Sequence, residues 1–108
     1  MDLIIELNEK RKQMPETIKN LEKWGRQKAQ KEADYRKLLQ QEILRLRDEG
    51  IAVTIISDLC RGKEEIAEAK RKRDISETMH EATLQSLMCL KLEMGILERQ
   101  IEAERKGI

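Results

Sequence analysis

Residues 63–105, KEEIAEAKRKRDISETMHEATLQSLMCLKLEMGILERQIEAER, decide how this chain folds. Ile66, Ala69, Arg73, Ser76, His80, Thr83, Leu87, Leu90, Met94, Leu97 and Ile101 follow one another at spacings of three and four without a break. That rhythm is the seam of a long, coiled-coil-like helix, polar in its first half and apolar in its second. A further row, Leu84, Met88, Leu92 and Ile96, lies beside the seam in the apolar half. One partner helix is too narrow to cover both rows.

Working back from that helix, residues 50–62 interrupt the pattern. Gly50 and Gly62 bracket the β-branched run Val53, Thr54, Ile55 and Ile56, a poor continuation of the charged helix before it. Thr54 is placed to cap a short helix running to Arg61, with Asp58 near its first turn and Gly62 ending it; an extended segment at residues 51–54 is the alternative. Residues 16–49 read as a first helical arm. Its apolar face is carried by Ile18, Leu21 and Trp24, thinly by Ala29, Ala33 and Tyr35, then by Leu38, Leu39, Ile43 and Leu46. The thin middle predicts loose or wet packing there. Residues 1–14, with Leu3, Ile4 and Leu7 on one side, form an N-terminal helical extension. Pro15 either starts the next helix or kinks a continuous one.

Folding the arms together about the 50–62 turn sets Leu46 near Ile66, Leu39 near Arg73, Leu21 near Leu90 and Ile18 near Met94. The expected fold is therefore all α: a long antiparallel helical hairpin with a short helical turn segment, forming one domain. The uncovered row calls for the Leu3–Leu7 segment, a second copy or a foreign partner. A homodimer making a four-helix arrangement is the favoured reading, its interface formed by Trp24, Leu84, Leu87, Met88, Leu92 and Ile96.

Composition narrows the function. Charged residues are 40% of the 108 and aromatics 2%, which suits solvated helices with a Leu, Ile and Met core. The net charge of +1 gives no bulk attraction for nucleic acid, so any electrostatic site is local. Cys60 and Cys89 are isolated, and reduced thiols in a cytoplasm are the plain reading. No apolar run is long enough for a membrane span, so no membrane partner is expected.

The densest basic cluster is Lys70, Arg71, Lys72 and Arg73, close in the hairpin to Arg45, Arg47, Arg61 and Lys63. Such a tip can grip phosphates, but consecutive helical residues point in all directions, acids surround them, and no aromatic platform accompanies them. An ion-paired helix end is the preferred reading. His80 lacks a nucleophile or orienting partner, and Cys60, His80 and Cys89 lack the paired spacing of a zinc site. Ser57 and Asp58 suit turn formation better than catalysis. Neither an enzyme nor a cofactor is expected.

The stretch EILRLRDEGI at residues 42–51, continuing through VTIISDLCRG at residues 53–62, resembles a family of small proteins from phages and prophages of Gram-positive bacteria. The similarity extends to the charged region around Trp24 and to the tail from Lys91 to Ile101. Ala52 stands where such turns often look better suited to proline, which leaves this turn freer. The resemblance implies the cytoplasm of a bacterial host and contact with replication, recombination or defence machinery, and it supplies no catalytic residues. The leading expectation is a non-enzymatic, dimeric interaction protein that presents residues 50–73 to a protein or nucleoprotein partner through Thr54, Ser57, Asp58, Arg61 and Lys63. Two rivals are a nucleic-acid-binding accessory protein using Arg45, Arg47 and residues 70–73, and an inhibitor of a host defence nuclease such as an anti-CRISPR.

Overall fold

In a computed structural model, the described residues, 2–107, form three helices and no strand: α1 (Leu3–Asp48), α2 (Val53–Gly62) and α3 (Glu64–Arg105). The long helices α1 and α3 pack against each other, giving the expected hairpin. Asp2 opens α1, its Oδ1 accepting the Ile4 N–H at 2.9 Å and satisfying one of the donors that a helix start leaves unpaired. Pro15 lies inside α1 and does not interrupt it, so residues 3–14 begin the same helix as the first arm and are not a separate extension. The proline is exposed, and long runs of helix-forming residues on both sides carry the backbone across its missing donor.

The first arm ends at a turn with a full set of capping bonds. Gly50 has φ +79°, its N–H donates to the Arg47 carbonyl at 3.0 Å, and the Ile51 N–H donates to the Leu46 carbonyl at 3.1 Å. This is the Schellman arrangement, in which a left-handed residue lets the chain turn back on the last helical carbonyls. Its usual apolar clasp is present, because Ile51 packs on the cluster that contains Leu46.

The turn delivers Ala52 in an extended conformation, φ −59° and ψ 131°, and α2 begins at the next residue. Two expectations change as a result. Thr54 lies within the first turn and does not cap it, since no side chain caps this helix, and Asp58 falls beyond the first turn. Gly62 is the last residue of α2; Lys63, with φ −75° and ψ 128°, is the one that breaks the helix. Its N–H still donates to the Cys60 carbonyl at 3.2 Å, and its own carbonyl accepts the Ala67 N–H at 2.9 Å, so a single extended residue separates α2 from α3.

Two compact units divide the chain: one is Trp24–Met79, and the other pairs the chain up to Lys23 with the stretch from His80 onward. In the Trp24–Met79 unit, Leu46, Ile56, Cys60 and Ile66 form the buried cluster, with Tyr35, Leu39, Ile43 and Ile51 packed on it. In the other unit Leu7, Leu87, Leu90 and Leu97 are buried, and Lys10 Nζ lies 2.7 Å from Glu93. The seam read from the sequence of α3 holds at every position: each of its residues is buried or half-buried.

The facing register and the α1 face differ from expectation. Leu46 and Ile66 share a cluster, as expected, but Arg73 meets Tyr35 and Glu32 where Leu39 was anticipated. The reversal occupies only residues 49–52, and α2 belongs to the returning arm, so the pairing centre moves towards the N-terminus. On α1, Ala29, Ala33, Ile18 and Leu38 are exposed, whereas Leu7, Lys10, Met14, Thr17 and Leu21 are buried or half-buried.

Candidate functional site

Within the Trp24–Met79 unit, α2 leaves the line of α3 at Lys63 and opens a groove against α1. The groove has a volume of about 880 Å³. Its α1 wall is a stripe at four-residue steps: Tyr35, Leu39, Ile43 and Arg47. From α2 come Val53, Ile56, Ser57, Cys60 and Arg61, and from α3 Ile66, Ala67, Lys70, Arg71 and Asp74. The floor is apolar because Leu39, Ile43, Ile56 and Ile66 meet there, while Arg47, Arg61, Lys70 and Arg71 make the rim mostly basic.

Beside the groove stands a charge cluster on Glu42, a carboxylate whose side chain is 7% exposed. Lys63 Nζ donates to its Oε2 at 2.6 Å and Arg45 Nε to the same oxygen at 3.1 Å, while Arg45 Nη2 reaches Oε1. Arg45 Nη1 also donates to Glu49 at 2.6 Å. The hydrogen bonds from Arg45 first, then Lys63, hold the Glu42 carboxyl down at about 2, from an ordinary 4.5. Arg45 is held correspondingly above its usual range, mainly by Glu42.

The expected phosphate-gripping tip is largely spent on such pairs. Arg45 and Lys63 serve Glu42; Arg71 is bidentate on Glu68; Arg73 bonds Asp74, approaches Glu32 at 3.5 Å and covers the Tyr35 ring at 4.5 Å. Lys72 is on another face, lining a second cavity with Lys31, Asp34, Lys37, Glu65 and Glu68. Of that basic set, Arg47, Arg61, Lys70 and Arg71 reach the groove. Of the expected partner-binding residues, Ser57 and Arg61 line it, Thr54 and Asp58 are exposed on α2 outside it, and Lys63 is its structural hinge.

The expected dimer row divides as well. Met88, Leu92 and Ile96 are 49%, 67% and 48% exposed, whereas Leu84 and Trp24 are half-buried and Leu87 is buried in its own unit. Leu87 thus belongs to the internal seam, for which its three-and-four spacing is the reason. Exposed Ile4 and Ile5 add to the apolar surface of the same unit.

The thin middle of the first arm is open, as its composition suggested: Gly25, Lys28, Ala29, Glu32, Arg73 and Glu77 line a cavity of about 440 Å³. His80 is half-buried in the seam, and among the described residues no three His, Cys, Asp or Glu side chains converge as metal ligands. Cys60 is buried and Cys89 exposed, both as free thiols. Among the described residues no helix is long and apolar enough to cross a membrane.

Sequence reading placed Tyr35, Leu39 and Ile43 on the seam face of the first arm and Val53 and Ile56 in the turn, and so did not bring them together as a groove. The signal for a second face was the excess of apolar positions between Tyr35 and Leu46, more than a single facing helix can cover. No family model, curated protein or solved structure matches the chain.

Proposed function

We propose that this chain is a non-enzymatic interaction protein that self-associates through its C-terminal apolar row and offers the 50–73 region to a protein partner. The observation that carries the reading is the row Met88, Leu92 and Ile96, which α1 leaves uncovered although it lies one step from the buried seam. Exposed apolar side chains scattered singly need no explanation, but three at successive helical turns form a contiguous strip suited to helix–helix association. The resemblance of residues 42–62 to phage proteins favours a partner in replication, recombination or host defence. Commitment of Arg45, Lys63, Arg71 and Arg73 to carboxylates weighs against direct nucleic-acid binding.

The test is mass in solution, by light scattering after size exclusion, for the wild type and Leu92→Asp. The wild type should be dimeric at micromolar concentration and the variant monomeric, with helix content by circular dichroism unchanged. A monomeric wild type would remove the self-association half of the proposal.

A further inference from the structure

The groove in the Trp24–Met79 unit has a shape and a charge that select one class of occupant. We infer that it receives an amphipathic α-helix of a partner protein, about three turns long, apolar on its inner face and acidic along its flanks. This deepens the interaction-protein reading and rests on it.

Length comes first. The α1 wall runs from Tyr35 to Arg47, and at 1.5 Å per residue that stripe is about 18 Å long, or three turns. Both long walls advance by helical steps, 35, 39, 43 and 47 on α1 and 67, 71 and 74 on α3. A third helix laid between two such ridged surfaces packs as a layer of a bundle, whereas an extended peptide would find no sheet edge to pair with.

Charge then sets the flanks. Arg47, Arg61, Lys70 and Arg71 line the groove against one acid, Asp74. Arg71 is shared with Glu68, but Arg61 stands 4.0 Å from Asp58 with both side chains well exposed, so Arg61, with Arg47 and Lys70, can turn towards an incoming carboxylate without breaking a buried pair. The floor argues against a nucleic-acid strand: Leu39, Ile43 and Ile56 offer nothing to phosphates, and the one aromatic ring of the lining, Tyr35, is covered by Arg73.

The experiment is fluorescence anisotropy with the full chain and two synthetic helical peptides that share Leu at three successive turns, one flanked by Glu and one by Lys. The Glu peptide should bind, weaken as salt rises, and lose about ten-fold in affinity against Arg47→Glu/Lys70→Glu. The same titration with Leu92→Asp separates the two readings, because groove binding should survive there whatever happens to self-association. No binding of the Glu peptide, equal binding of the Lys peptide, or indifference to the charge reversal would overturn the inference. So would loss of self-association in Arg47→Glu/Lys70→Glu, which would make a second copy the occupant.

Discussion

Lys63 Nζ lies 2.6 Å from Glu42 Oε2, although the two residues are 21 apart in sequence. The contact ties the residue that breaks α2 from α3 to the buried face of α1, and so fixes the angle at which the groove opens. Arg45 completes the site by holding both carboxylate oxygens, so Glu42 is charged and fully engaged. Because its pKa in the fold, about 2, is below the ordinary 4.5, the carboxyl binds its proton more weakly folded than unfolded. Its contribution to stability is complete above pH 4.5 and drains as pH falls towards 2. Thermal midpoints measured across that range should fall more steeply for the wild type than for Glu42→Gln. Parallel curves would show that the cluster does not stabilise the turn.

Gly50 and Gly62 bracket the same segment but carry different loads. At Gly50, with φ +79°, any Cβ is strained even though the space around it is open. Gly50→Ala should cost about 1–2 kcal/mol, the usual penalty for an L-residue in the left-handed region. Gly62 ends a helix with open space around it, so Gly62→Ala should be neutral or stabilise by roughly 0.5–1 kcal/mol. Urea unfolding of both variants decides the matter, and equal effects would mean that the Schellman turn is not the hinge of the hairpin.

The two thiols provide a probe of the groove's floor. Cys60 is 1% exposed on the inner face of α2, and Cys89 lies on the surface of α3. In the native protein an aromatic disulfide reagent should modify Cys89 within its mixing time scale and leave Cys60 untouched until denaturant is added. Rapid reaction at both would mean that α2 lifts from Leu46 and Ile66 in the native state.

The hairpin itself was legible, because Ile66 to Ile101 repeats one spacing over many turns and every member of that series ends up at least half-buried. The register was not, since it depends on where the chain reverses, and Val53 to Gly62 has no side-chain cap to announce a helix start at Val53. Reading that helix as part of the turn moved Leu39 opposite Arg73, a place held by Tyr35. The groove was hidden for a related reason. Tyr35, Leu39 and Ile43 could be seen as apolar, but that they line an opening instead of closing on α3 depends on the single extended residue Lys63, whose anchor on Glu42 exists only once the arms are paired.

Pro15 offers the sharpest check on the continuity of the first arm. Within α1 it removes one backbone donor, and its ring crowds the carbonyl four residues earlier, an arrangement that costs roughly 3 kcal/mol against alanine in an exposed helix interior. The helix nevertheless runs from Leu3 to Asp48, and Thr17 Oγ1 donates to the Gln13 carbonyl at 2.8 Å beside the proline. If the arm is continuous in solution, Pro15→Ala relieves that cost and should raise the stability by about 1–3 kcal/mol, read as a higher urea midpoint with an unchanged slope. If the chain instead breaks before residue 15 in solution, proline sits harmlessly at a helix start, and the same substitution should leave the midpoint where it was or lower it.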